Sequence, residues 1–123
     1  MTGVIFPIDV DPTMREGLRA KLHHARVTET EKEYEGSITI DRELLEAADV
    51  AVHEKVQVVN VDNGERFETY AIPGDDGDIC LNGAAARLAA VGDRVIVMAY
   101  GRFDGEIPEP TVVRLDENNE PIE

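Results

Sequence analysis

Val56-Gln57-Val58-Val59-Asn60-Val61-Asp62-Asn63-Gly64-Glu65-Arg66-Phe67-Glu68-Thr69-Tyr70-Ala71-Ile72 joins two runs of different pattern through a short polar break. The first run is dominated by valine, whose branched Cβ is stiff in a helix and packs well on a pleated sheet. Asp62-Asn63-Gly64 supplies residues that tolerate the backbone of a tight turn. Arg66 to Ile72 reads as the returning strand, so the segment predicts a β-hairpin in a mainly β chain. Alternation then puts Arg66, Glu68 and Tyr70 on one face and Phe67, Thr69 and Ala71 on the other, unless a bulge intervenes.

Outward from the hairpin, Pro73 to Asp78 is a glycine-rich acidic turn, and Asn82 is placed to cap a short helix through Ala90. Gly92-Asp93 leads into the apolar strand Arg94 to Tyr100. Pro108, Pro110 and Pro121 leave room for one edge strand near Thr111 to Leu115, with 116–123 a loose acidic tail. Upstream, Asp41 is a candidate N-cap for a short helix through Ala48, with Glu43 and Glu46 along it. Ser37 to Ile40 alternates, Glu29 to Glu33 is a polar turn, and Met14 to Thr28 carries a strand pattern clearest at Arg19 to Val27. Residues 1–13, with Pro7 and Pro12, read as an N-terminal extension. Several short strands and two short helices favour a small β-barrel.

The chain has 123 residues, enough for one compact domain. Its 26 acidic and 12 basic residues give a net charge of −14, which disfavours binding to nucleic acid or to an anionic membrane surface. Three of the cations are lysines, Lys21, Lys32 and Lys55, and the rest are arginine. This composition points to a high-salt cytoplasm, where salt screens the self-repulsion. Cys80, between Ile79 and Leu81, reads as a buried, inert thiol. No apolar run approaches the length of a membrane span and the N-terminus lacks a secretory pattern, so a cytoplasmic location is expected. His23 and His24 are adjacent and His53 is distant, without metal-ligand spacing, so no metal is expected.

The chemistry-bearing residues are ordinary one at a time. Gly-Ser pairs such as Gly36-Ser37 usually mark turns, and Lys21, Arg66 and Thr69-Tyr70 read alone as surface cations and a strand pair. Their order and spacing carry more. Lys21-Leu22-His23, Tyr34-Glu35-Gly36-Ser37, Arg66-Phe67-Glu68-Thr69-Tyr70 and Asn82-Gly83-Ala84-Ala85-Ala86, with Ala47-Ala48 and Asn60-Val61-Asp62-Asn63-Gly64 between them, together resemble the pyruvoyl-dependent aspartate 1-decarboxylase family. The resemblance runs from Met14 to Tyr100. Val59 stands where many members carry an aromatic residue, and the turn at Pro73 to Asp78 is shorter than theirs.

The resemblance implies a double-psi β-barrel over 14–115, self-cleaved between 36 and 37. The Ser37 hydroxyl would attack the Gly36 carbonyl, and Ser37 would end as a pyruvoyl group that forms a Schiff base with the substrate amine and accepts the electron pair left by carbon dioxide. Gly36 is expected to permit a strained backbone there, and Thr69 to supply a donor to the oxyanion. Lys21 and Arg66 match the family's carboxylate-binding pair, Tyr70 its candidate proton donor, and Asn82, Gly83, Ala84 and Ala85 its pocket loop. Tyr34 and His23 match family positions as well. The implied reaction converts L-aspartate to β-alanine and carbon dioxide for pantothenate and coenzyme A synthesis. It would take place in a homotetramer whose active sites lie between subunits, so Lys21 and Arg66 need not reach Ser37 of their own chain. A maturation factor for the cleavage is a further possible partner. The alternatives are an uncleaved, non-catalytic barrel serving as an interaction module, and a pyruvoyl decarboxylase for another small acidic amino acid.

Overall fold

A computed structural model describes residues 13–122, so the extension expected over 1–13 lies, except for Thr13, outside the described residues. The elements in chain order are β1 (Met14–Arg26), β2 (Glu29–Glu31), β3 (Ser37–Asp41), α1 (Arg42–Ala48), β4 (Lys55–Asn60), β5 (Arg66–Gly74), β6 (Ile79–Asn82), a 3-10 helix (Gly83–Leu88), β7 (Arg94–Asp104), β8 (Thr111–Leu115) and β9 (Pro121–Ile122). The strands form one sheet in the order β2-β6-β3-β5-β4-β7-β1-β8-β9. β1 sits near one end of that order, yet it runs through Val27 and Thr28 into β2 at the other end. Across this link the Thr28 N–H donates to the Ile79 carbonyl at 2.8 Å. The sheet therefore rolls up as a β-barrel, and Leu22, Ile38, Ile40, Val58, Leu81 and Leu115, drawn from across the strand order, share one core. Each such side chain contributes about 1.5–3 kcal/mol by leaving water.

The central hairpin forms as its residues predict. β4 and β5 pair antiparallel from Lys55 opposite Tyr70 to Val59 opposite Arg66. The turn between them is held by side-chain oxygens that accept from backbone N–H groups two residues on, Asn60 Oδ1 from Asp62 and Asn63 Oδ1 from Glu65, each at 2.9 Å. Gly64 adopts the required positive φ of 80°. Asp41 caps α1 by accepting from the Glu43 N–H at 2.8 Å, and Ala71 enters the core while Arg66 and Glu68 stay exposed.

Five local expectations are revised. β5 runs on through Pro73 and Gly74, which pair in parallel with Ile40 and Asp41; β4 has already ended on the other side, so the missing N–H of Pro73 breaks no ladder bond. Glu29–Glu31 is a strand parallel to β6 and not a turn. In β1 the alternation slips, because the register against β7 shifts between Leu22 and Ala25, with His24 at φ 64°. The helix after Asn82 is a 3-10 helix ending at Leu88, and the Asn82 side chain does not cap it. Finally, 116–122 is docked as a turn and β9, with Asn119 only 2% exposed. Among the described residues, no helix is long and apolar enough to cross a membrane.

Candidate active site

The junction between Gly36 and Ser37 lies where chain passes from solvent into the barrel: Gly36 is exposed and Ser37 is 1% exposed. β3 begins at this point. Ser37 pairs with Asn82 of β6, and pairing with β5 starts at Ile38 opposite Ala71. Upstream of that register β5 has β4 on one side and an open edge on the other. A pocket of about 370 Å3 fills this edge, lined by Gly36, Phe67, Thr69, Tyr70, Ala84 and Ala85 among others. An uncovered edge gives access to both faces of a strand, so Thr69 and Tyr70 both line the pocket although successive side chains point to opposite faces. The ring of His53 meets that of Tyr70 edge-on, with centroids 6.0 Å apart.

Next to Gly36 in the chain, β3 and β6 set four polar side chains in a square, Ser37 opposite Asn82 and Thr39 opposite Cys80. Asn82 Nδ2 donates to Ser37 Oγ at 2.8 Å and to Thr39 Oγ1 at 3.0 Å. The Ser37 hydroxyl has a long contact of 3.4 Å to the Glu35 carbonyl as its acceptor. On the far side of the amide, the Cys80 thiol donates to Asn82 Oδ1 at 3.2 Å. Burial, followed by the charges of Glu29, Glu31 and Asp78, raises the Cys80 thiol to about 11, so it stays protonated at neutral pH. Thr39 and Cys80 are not expected at the site from the sequence, in which Cys80 reads as an inert buried thiol. The available signal was period two, since each stands two residues from a predicted site residue on the same strand face.

Gly83 adopts φ 67°, and a Cβ there would lie 2.7 Å from both Cα and N of Gly36 and 2.9 Å from the Tyr34 carbonyl oxygen. The strain expected at Gly36 is absent: its φ lies outside the left-handed region, and a Cβ added to it would meet nothing within 4 Å. The need for glycine sits across the contact, at Gly83. Tyr34 is exposed and borders, with Thr39 and Asn82, a neighbouring hollow.

Lys21 and Arg66 do not line the pocket that holds Gly36, Thr69 and Tyr70. Lys21 lies in β1 between Met98 of β7 and Val112 of β8. Arg66, at the start of β5, is exposed, with Nη1 3.3 Å from Gln57 Oε1. His23 stacks on His24 with ring centroids 4.0 Å apart; its pKa is lowered by burial first, then by His24, Lys21 and Arg114. Within one chain the fold thus gathers Gly36, Ser37, Thr69, Tyr70, Asn82, Gly83, Ala84 and Ala85, and leaves the two cations elsewhere.

Comparison with known proteins matches residues 13–122 to the family model described as aspartate decarboxylase. An aspartate 1-decarboxylase of Haloquadratum walsbyi is 64% identical over 103 residues, covering 83% of this chain and 90% of that protein. One of Salinibacter ruber is 60% identical over 108 residues, covering 84% and 74%. One of Desulfitobacterium hafniense is 56% identical over 113 residues, covering 88% and 89%. With a match across almost every described residue and relatives at this identity, the chain belongs to the aspartate decarboxylase family.

Proposed function

We propose that this chain cuts itself between Gly36 and Ser37 and decarboxylates L-aspartate at its α-carbon, giving β-alanine and carbon dioxide. The observation that carries the reading is the junction itself: a buried serine oxygen held by an amide N–H at 2.8 Å, directly beside a pocket lined by Thr69, Tyr70, Ala84 and Ala85. In the cleavage, Ser37 Oγ bonds to the Gly36 carbonyl carbon, the peptide C–N bond breaks, and the hydroxyl proton passes to the freed Ser37 nitrogen. Loss of the Ser37 Cα proton to solvent then breaks the Cβ–Oγ bond and releases Gly36 as a carboxylate. Water finally replaces the nitrogen of Ser37, which leaves as ammonia.

The residues present fit a pyruvoyl group at position 37. Ala84 and Ala85 keep the pocket wall small and Gly83 lets the loop approach the cut end, while Asn82 Nδ2 meets the Ser37 oxygen that leaves with Gly36. Once formed, the group supplies a carbonyl that binds the substrate amine and an electron sink for decarboxylation. Thr69 is the donor toward the oxyanion of cleavage, and Tyr70 returns a proton to the substrate carbon.

Lys21 and Arg66 bind the two carboxylates of aspartate in this reading. Their position away from the Gly36 pocket of their own chain supports a homotetramer in which a neighbouring subunit supplies them. The parallel pairings of β1 with β8 and of β3 with β5 support the family's double-psi topology over 14–115. The same reading places the enzyme in the cytoplasm, supplying β-alanine to pantothenate synthesis, with cleavage either unaided or promoted by a maturation factor.

Intact mass spectrometry of protein purified in high salt tests this, with Ser37→Ala as the control. Wild type is expected as two chains divided after Gly36, the longer about 17 Da lighter than the same chain beginning with serine. The variant stays whole. β-Alanine formed from aspartate, and no decarboxylation of glutamate, completes the assignment. A wild-type chain that stays whole even with extract of its source cells overturns it in favour of a non-catalytic barrel.

A further inference from the structure

The Asn82 amide could meet the hydroxyls of Ser37 and Thr39 with either end, because a hydroxyl both donates and accepts. Its third neighbour favours one end. Cys80 presents a protonated thiol 3.2 Å from the amide oxygen, nearer than its other acceptor, the Leu81 carbonyl at 4.0 Å, so with the oxygen on this side the thiol hydrogen has an acceptor in reach. Asn82 is 3% exposed and Cys80 is 8% exposed, so water does not readily substitute for either contact.

We propose that Cys80 is a positioning residue for the self-cleavage: its thiol fixes the Asn82 amide with the NH2 group toward Ser37. The proposal rests on the reading that the chain cuts itself at Gly36–Ser37. The oriented N–H meets the same oxygen at two stages. It stabilises charge on Ser37 Oγ as that atom loses its proton to attack the Gly36 carbonyl, and it stabilises the carboxylate oxygen that the atom becomes when the Cβ–Oγ bond breaks. With the amide reversed, Oδ1 would face Ser37 Oγ and oppose charge at both stages. The cross-strand register of β3 and β6 makes the device possible, since it sets Cys80 opposite Thr39 and Asn82 opposite Ser37. Cys80 does not touch the reacting atoms and acts through Asn82.

The test follows cleavage of freshly synthesised full-length chain by intact mass, in wild type, Cys80→Ala and Cys80→Ser, with thermal unfolding of each and NMR of the 15N-labelled Asn82 side-chain amide. Cys80→Ala is expected to cleave about tenfold more slowly while its fold persists, and its Asn82 amide protons are expected to lose protection from exchange. Cys80→Ser keeps a donor and should remain within about threefold of wild type. Unchanged cleavage in a folded Cys80→Ala variant overturns the proposal and leaves the self-cleavage reading intact. A wild type that never cuts overturns the self-cleavage reading instead. In that case the NMR comparison still decides the amide's orientation, because an Asn82 signal identical in wild type and Cys80→Ala removes any role for the thiol.

Discussion

Gly83 approaches Gly36 so closely that its missing Cβ would sit 2.7 Å from the Gly36 Cα, closer than real Cβ contacts allow. The backbone of one loop therefore forms the wall against which the other is held. Gly83→Ala adds a methyl at φ 67°, costing roughly 1–2 kcal/mol in backbone energy alone, and forces the two loops apart. The expected result is a lower melting temperature and cleavage slowed at least about tenfold, since a displaced scissile group loses its alignment. Gly36→Ala, whose Cβ meets open space, should melt close to wild type. Equal melting of the two variants would falsify the wall.

Arg66 is exposed and touches only a neutral amide oxygen, Gln57 Oε1 at 3.3 Å, among the hydrogen bonds of the described residues. Its guanidinium is thus open to a ligand carboxylate. Arg66→Ala should leave cleavage intact and lower kcat/KM for aspartate about 100-fold, the loss expected for a charged hydrogen-bonded pair. Arg66→Lys should recover only part of that, because a point charge does not reproduce the bidentate fork. The pair of readouts separates substrate binding from processing: slowed cleavage in Arg66→Ala would assign the residue to the fold instead.

Much of this architecture was legible because local chemistry and tertiary demand agree. The valines of β4, the Asp62-Asn63-Gly64 turn and the Asp41 cap each have a local cause, and each forms where its residues predict. The failures share a different cause. Glu29–Glu31 has no apolar pattern and becomes a strand through pairing with β6. Pro73 continues β5 because β4 has already ended, a fact of long-range register. The slip at His23-His24 depends on how β1 meets β7. At the site, motif order located Ser37, Thr69, Tyr70 and Asn82, whereas period two put Thr39 and Cys80 on the same strand faces but only the pairing of β3 with β6 brought them together. Long-range register is the quantity that a one-dimensional pattern does not carry.

Asp62 is held near pKa 2, first by the side-chain hydrogen bond from Arg94 and then by the Arg94 backbone N–H. The usual aspartate value is about 3.9. Because the folded value is the lower one, the ionised carboxylate favours the folded state above about pH 4, and that contribution disappears as pH falls through 2. Asp62→Asn should therefore melt below wild type at pH 6, and the gap should close as the buffer is taken toward pH 2. The pair is exposed, so the gap is small. Melting curves that stay parallel across this range would remove the ionic contribution.

With a net charge of −14 on 123 residues, self-repulsion opposes folding wherever salt is scarce. Raising salt from about 0.1 M to 1 M shortens the Debye length from about 10 Å to about 3 Å. The melting temperature is expected to rise by several degrees over that interval in potassium chloride, with most of the gain before 1 M. An equal rise confined to sulfate salts would point to general strengthening of apolar burial instead. Full stability in salt-free buffer would count against adaptation to a saline interior.

Asn119 joins segments that are far apart in sequence. Its Nδ2 donates to the carbonyls of Arg26 at 3.0 Å and Gly77 at 2.9 Å, and its Oδ1 accepts from the Arg26 N–H at 2.6 Å. The residue is 2% exposed and has φ 60°, a conformation that asparagine tolerates better than most residues. Through it the turn before β9 is tied to the end of β1 and to the turn before β6. Asn119→Gly relieves the backbone but deletes all three bonds, which should cost roughly 3 kcal/mol of unfolding free energy in urea titration. Asn119→Ala deletes the same bonds and adds the left-handed penalty, about 1 kcal/mol more. The order wild type, glycine, alanine therefore separates the two causes. If alanine proves as stable as glycine, the backbone conformation contributes nothing; if both match wild type, the closure of the barrel at this point depends on packing of Leu115 and its neighbours and not on Asn119.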